Sequence, residues 1–142
     1  MDAEDSATNI ATRMIITTGQ SLMVGDFDAF SACFEFPLRV ETTLGTNTVV
    51  HEDQLRETFD SVRAHYRRLG VQNMERECLS AEFEGPDTIS TVHETRLIVS
   101  GGIEQRPFTV LSTLVRRDHR WVITDTKYSI SDSLTYVRAL TQ

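Results

Sequence analysis

Residues 106–130 read RPFTVLSTLVRRDHRWVITDTKYSI. Apolar and β-branched side chains fill both halves of this stretch, and Arg117-Asp118-His119 separates the halves with polar, turn-forming residues. The halves, 106–117 and 120–130, are therefore predicted to be two antiparallel strands joined by a tight turn. This pair establishes a sheet on which the rest of the chain must pack.

Two further strands are predicted immediately before this pair. Residues 74–84 and 88–100 have the two-residue period of strands, and Gly85-Pro86-Asp87 separates them. Gly101-Gly102 marks the turn that leads into residue 106. Because these connections are short, the four strands are expected to pair consecutively as an antiparallel meander.

The N-terminal half of the chain has the period of helices. Residues 6–24 repeat apolar side chains at a spacing of three and four, with Ser6 as the predicted N-cap and Gly25 as the stop. Residues 52–69 have the same spacing, and Gly70 follows them. Two amphipathic helices are predicted, each with one buried stripe.

Shorter elements are predicted between these two helices. Residues 26–34 are predicted to form a short helix that ends before Pro37, because the residue before a proline is disfavoured in the helical region. Residues 38–42 alternate, and Gly45 turns the chain into residues 48–50, which predicts a hairpin. The fold class is therefore α+β, with N-terminal helices on a mostly antiparallel sheet.

Length, composition and charge limit the class of protein. The chain has 142 residues, 39% of them hydrophobic and 25% charged, and a net charge of −7. These values are typical of one globular domain over 1–142. Its ends, 1–5 and 132–142, are expected to be loosely ordered. For 132–142, a single closing helical turn is the alternative. Without a basic cluster, the chain is not expected to bind nucleic acid.

No stretch approaches the roughly 18 consecutive apolar residues of a membrane span, and the acidic N-terminus lacks the basic region of a signal peptide, so a soluble, cytoplasmic protein is expected.

The strand around Phe108–Val115 carries information on assembly. Apolar residues occupy both odd and even positions of this segment, whereas a strand with one solvated face should alternate between apolar and polar residues. The predicted helices can cover only one face of the sheet. We therefore expect a homodimer in which a second chain covers the outer face.

The order of these elements resembles the nuclear transport factor 2-like superfamily, including its SnoaL-like members. The resemblance rests on Phe27-Asp28-Ala29-Phe30, on Glu52-Asp53-Gln54-Leu55, and on residues 116–123, RRDHRWVI, which resemble the strand, turn and Trp-x-Ile ending of that superfamily. His119 stands where SnoaL-like members commonly have glycine. The resemblance implies a strongly bent sheet that forms a cone around an internal pocket, and such a pocket can be catalytic or can only bind.

The strand over 88–100 supplies the first candidate residues. His93 and Thr95 alternate with Glu94 and Arg96 among apolar neighbours, where a titratable group is costly unless it is paired. His93 is a candidate acid or base, or a satisfied core histidine. Arg96 is a candidate ligand contact, or the partner of Glu94 in a structural ion pair.

The last strand supplies further candidates. Alternation places Trp121, Ile123 and Asp125 on one face, so Asp125 is a carboxylate among apolar side chains and the best candidate for a base, unless it pairs with Lys127 or Arg96. Trp121 is a candidate ligand contact on the same face. The remaining candidates are Tyr66 and Tyr128. Each could donate a hydrogen bond to a ligand, or could be a core residue with its hydroxyl at the rim.

The sequence favours a cofactor-free domain that binds a small, largely apolar molecule. The four histidines are scattered, no His-Glu-x-x-His helix is present, and the chain has no glycine-rich phosphate loop, so no metal or cofactor is expected. A cofactor-independent isomerase, dehydratase or polyketide cyclase is the first alternative. A protein-interaction module without a pocket is the second alternative.

Overall fold

The fold consists of four helices and a six-stranded sheet, described for residues 5–100 and 106–141 in a computed structural model. The elements are α1 (Ala7–Val24), α2 (Phe27–Ser31), β1 (Phe34–Thr42), β2 (Gly45–Val49), α3 (Glu52–Leu69), β3 (Val71–Phe83), β4 (Thr88–Val99), β5 (Phe108–Arg117), β6 (Arg120–Tyr128) and α4 (Leu134–Leu140). None of the helices in the described ranges is long and apolar enough to cross a membrane.

The sheet is mixed and open, with the strand order β2-β1-β6-β5-β4-β3. Strands β3 to β6 form the antiparallel meander predicted from the sequence, and their ends differ from the predicted ends by up to three residues. The β1–β2 hairpin is also confirmed, but β1 joins the sheet by parallel pairing with β6, which the sequence did not indicate. The predicted turn at Gly101-Gly102 lies outside the described residues.

The two long helices begin and end where the sequence predicts. The Ser6 side chain accepts a hydrogen bond from the Asn9 backbone N–H, and Gly25 ends α1 in the left-handed region with φ 82°. Helix α3 ends at Gly70 with φ 73°. A residue with a Cβ is strained in this region, so both glycines act as stop signals.

Helix α2 is shorter than predicted, because part of the predicted helix belongs to the sheet. The helix ends at Ser31, and β1 already begins at Phe34. The Ile123 backbone N–H donates to the Cys33 carbonyl at 2.8 Å, so pairing with β6 draws this segment into the sheet. Pro37 lies where the β1–β6 pairing is interrupted, between Phe34 and Arg39, and there its missing N–H does no harm.

The C-terminal segment is a helix with a buried face. Two alternatives were predicted for 132–142, a loosely ordered end and a single closing turn. The structure instead has α4, which spans seven residues and packs against α3. Its buried residues are Tyr136, Val137, Ala139 and Leu140. Residue 142 and residues 1–4 lie outside the described part of the chain.

All helices contribute to one hydrophobic core on the inner face of the sheet. On β5, Phe108, Val110, Ser112 and Leu114 point into this core. Leu111 points to the outer face and is 42% exposed. The apolar residues at the even positions of β5 therefore face the core, and Leu111, at an odd position, lies on a face that is open in the single chain.

Candidate functional site

A cavity lies between the inner face of the sheet and the helices. Helices α1–α4 and strands β1 and β3–β6 all contribute residues to its lining. Its volume is about 60 Å³, room for about two water molecules. Most lining side chains are apolar, and no Asp or Glu is among the described residues that line it.

His93 lies at the centre of β4 and faces this cavity. It is 5% exposed, and neither Nδ1 nor Nε2 has a hydrogen-bond partner among the described residues. Burial, together with the positive charge of Arg76, lowers the pKa of His93 from 6.5 to about 3. The ring is therefore neutral at physiological pH, with one N–H donor and one acceptor nitrogen unused.

Two tyrosines form a buried pair at the helical side of the cavity. The Tyr66 and Tyr136 hydroxyls lie 2.6 Å apart, with Tyr66 on α3 and Tyr136 on α4. Burial raises the pKa of Tyr66 to about 12 and that of Tyr136 well above 10. Both phenols are neutral, so the pair shares one hydroxyl hydrogen and keeps the other available for a ligand.

Tyr128, at the end of β6, faces the same cavity from the sheet. It pairs with Val110 across the β5–β6 ladder, and Val110 pairs with His93 across the β4–β5 ladder. Burial of its hydroxyl raises the pKa of Tyr128. His93 and Tyr128 thus lie on one inner row that crosses three strands.

Arg76 on β3 brings a positive charge to the cavity. Its Nη1 donates to the Ile15 carbonyl at 3.0 Å and to the Thr18 hydroxyl at 2.7 Å, both on α1. Its Nε donates to the Thr95 hydroxyl at 3.3 Å. Arg76 was not predicted as a site residue, although alternation in β3 places it on the same face as the apolar residues Met74 and Cys78, which was the available signal.

Asp125 does not reach the cavity, and its predicted place on the face of Ile123 is wrong. In the β5–β6 ladder, Leu114 pairs with Ile123 but Thr113 pairs with Asp125, so Thr124 is an extra residue in β6. Such a β-bulge reverses the alternation of side chains beyond it. Asp125 therefore lines a groove on the outer face, where it accepts a hydrogen bond from the Thr124 hydroxyl at 2.9 Å.

Arg96 and Trp121 also lie outside the cavity lining. Arg96 is exposed on the outer face of β4, and no ion pair of the described residues includes it or Glu94. Trp121 is half-buried near the start of β6, with its ring 6.2 Å from that of Phe83. Of the six predicted site residues, the structure brings His93, Tyr66 and Tyr128 together. No group of three or more His, Cys, Asp or Glu side chains in the described ranges could hold a metal ion.

Solved structures with the same fold cover nearly the whole chain. A cystatin-like domain of unknown function from Nostoc punctiforme superposes with a TM-score of 0.69 at 16% identity, over 96% of this chain and 85% of that one. A nuclear transport factor 2-like protein of unknown function from Shewanella oneidensis gives 0.63 at 15%, over 87% and 99%. A provisionally assigned scytalone dehydratase from Novosphingobium aromaticivorans gives 0.64 at 12%, over 87% and 83%.

These similarities show the fold. The chain has the nuclear transport factor 2-like, or cystatin-like, α+β fold, which is the fold class that the resemblance implied. No protein-family model matches the chain, and no curated protein matches it.

Proposed function

We propose that this protein binds a small, largely apolar molecule in the cavity beside His93. The observation that carries the proposal is the imidazole itself, which is buried against the cavity and has no hydrogen-bond partner for either nitrogen within the described ranges. A buried polar group without a partner costs about 1 to 3 kcal/mol. A ligand hydroxyl or carbonyl group beside His93 removes that cost, so the site favours an occupant.

The size and lining of the cavity favour a small, largely apolar ligand. With a volume of about 60 Å³, the cavity accepts only a few non-hydrogen atoms without rearrangement. Met14 lines it from α1, and the unbranched methionine side chain adapts easily to a larger occupant. A compact apolar body with one polar group satisfies both the apolar lining and His93.

Binding is better supported than proton-transfer chemistry. A general base works best with a pKa near the operating pH, but the pKa of His93 is lowered to about 3. The tyrosine pKa values are raised, and the described lining contains no carboxylate. These groups exchange protons poorly near neutral pH, so we propose a binding protein rather than an isomerase, dehydratase or cyclase.

Phenol is a suitable probe, because it combines a compact apolar ring with one hydroxyl group, and it enters when Met14 shifts to enlarge the cavity. We expect phenol to raise the melting temperature and to shift the imidazole ¹⁵N resonances of His93, while those of the exposed His51 and His119 stay unchanged. His93→Leu should abolish the stabilisation. His119→Asn is the matched control, since Asn tolerates the φ of 67° at that turn. Unchanged His93 resonances at saturating phenol, or equal binding by His93→Leu, would contradict the proposal.

The outer face of the sheet supports a homodimer. Leu111 is 42% exposed and lines the outer face of β5. A groove of about 350 Å³ on this face is lined by side chains of both charges, among them Arg39, Asp125 and Lys127. Mixed charge on one face is complementary to a second copy related by a twofold axis, so the proposed occupant is another chain.

The mass in solution tests the dimer. Light scattering behind size exclusion should give twice the chain mass, and Leu111→Asp should give a folded monomer. Leu44→Asp is the control, because Leu44 is 57% exposed on the turn between β1 and β2, away from the open face. A monomeric wild-type protein, or a dimer that tolerates Leu111→Asp, would refute the proposed interface.

A further inference from the structure

Arg76 has no counter-ion in the described structure. Its hydrogen-bond acceptors are one carbonyl and two hydroxyl oxygens, all of them neutral. The recess that Arg76 borders is also lined by Glu75, Glu77 and Glu94, but none of the ion pairs among described residues joins any of the three carboxylates to Arg76. A half-buried guanidinium without an anion is an incomplete charge pair.

Helix α1 holds the guanidinium in position. The bonds to Ile15 and Thr18 fix Nη1, and a Cβ added at Gly19 would lie only 3.2 Å from Cδ of Arg76. The lack of a side chain at Gly19 therefore leaves space for the aliphatic part of the Arg76 side chain against α1. No hydrogen bond joins Nη2 to any residue of the described ranges, so its two N–H groups are available to an acceptor.

The charge of Arg76 acts on the whole cavity. It lowers the pKa of His93 and counteracts the rise that burial causes in the pKa values of Tyr66, Tyr128 and Tyr136. No described acidic side chain in the lining balances this positive charge. The environment therefore favours a negative group near Arg76 and disfavours a positive one.

We infer that the ligand is a small carboxylic acid bound as its anion, with the carboxylate between Arg76 and the N–H of His93, which are diagonal neighbours on β3 and β4 that both line the cavity. The inference rests on the proposed binding function and adds the charge of the ligand to it. A carboxylate accepts the N–H groups that Arg76 leaves unused, and a charge-assisted hydrogen bond is stronger than a neutral one. The same site rejects amines, because their positive charge would face the guanidinium.

Benzoate and benzamide test the inference, because they have nearly the same shape and differ in charge. Titrations at neutral pH should show benzoate bound at least about tenfold more tightly than benzamide, because only benzoate brings a negative charge to Arg76. Arg76→Met should remove this preference, and Arg76→Lys, which keeps the charge and protects the fold, should retain part of it. Arg68→Met, which changes an exposed arginine of α3 outside the linings of both the cavity and the recess, is the matched control and should bind like wild type.

Each outcome separates the two proposals. Equal affinity of the wild-type protein for benzoate and benzamide would overturn the carboxylate inference and leave the binding function standing. A benzoate preference that survives in folded Arg76→Met would also overturn it. If neither probe binds and phenol leaves the His93 resonances unchanged, the binding function itself fails.

Discussion

Ile123 and Asp125 lie on opposite faces of the sheet, although only one residue separates them on β6. Ile123 is 6% exposed and lines the cavity, whereas Asp125 lines the groove on the outer face. In a regular strand these two positions would share a face. The extra residue, Thr124, absorbs the difference and keeps a carboxylate out of the apolar interior.

Deleting Thr124 should therefore leave every other side chain of β6 on its present face. Ile123 would still point inward, Asp125 outward and Thr126 inward, as regular alternation requires. We expect a folded protein that loses at most about 1 to 2 kcal/mol in free energy of unfolding, from the lost bulge alone. Urea denaturation measures this loss.

Deletion of Thr126 is the matched control. A β6 shortened there must bury either Lys127 or Asp125 on the inner face, because one of the two takes the place of Thr126. An unpaired buried charge costs several kcal/mol, so this variant should be largely unfolded. Equal stability of the two deletion variants would show that the bulge does not set the faces of β6.

Local periodicity was sufficient to predict the helices with long amphipathic repeats. Helix α3 has the predicted bounds, 52–69, because its apolar spacing is regular and Gly70 follows it. The meander was also predictable, since short turns pair consecutive strands. The end of α2 was missed, because β1 begins at Phe34 through pairing with the distant β6, which is a tertiary contact that local pattern does not contain.

The site was predicted in part, for the same reason. The place of His93 and Tyr66 in the cavity lining was predictable, because a polar residue among apolar neighbours is visible in the sequence. Asp125 was placed on the wrong face, because a bulge depends on the partner strand and leaves no local signal. Tyr136 was missed, although Ser133 and the apolar spacing after it indicate a helix, since so short a repeat carries little weight against a predicted loose end.

Replacing His93 should stabilise the protein without ligand. His93→Leu removes two buried nitrogens that have no described partner and keeps an apolar side chain in the core. We expect the free energy of unfolding to rise by about 1 to 3 kcal/mol at neutral pH, measured by urea denaturation. His93→Gln, which keeps an unpartnered polar group, should show no such gain. A destabilised His93→Leu would mean that the imidazole makes a native interaction in solution.

The stability of the wild-type protein should fall as the pH drops below 6.5. The pKa of His93 is lowered to about 3 in the folded state, so between these values the unfolded chain binds a proton that the folded chain does not. Stability decreases with falling pH under that condition, by about 1.4 kcal/mol per pH unit for one such group. The difference between wild type and His93→Leu isolates this effect from the carboxylates, and it should be constant above pH 6.5. A difference that stays constant on acidification would place the folded-state pKa near its ordinary value.

The Tyr66 and Tyr136 hydroxyls should be energetically coupled. They lie 2.6 Å apart in the core, so Tyr66→Phe leaves the Tyr136 hydroxyl unpartnered, and Tyr136→Phe leaves that of Tyr66 unpartnered. Each single variant should lose about 1 to 3 kcal/mol, and the double variant should lose less than the sum, because it leaves no orphaned hydroxyl. Urea denaturation of the four proteins gives a coupling energy of about 1 kcal/mol or more.

The same cycle with Tyr66→Phe and Tyr128→Phe should give a smaller coupling, since no direct bond joins these two hydroxyls within the described structure. Additive losses for Tyr66 and Tyr136 would argue against a hydrogen bond that closes the cavity between α3 and α4.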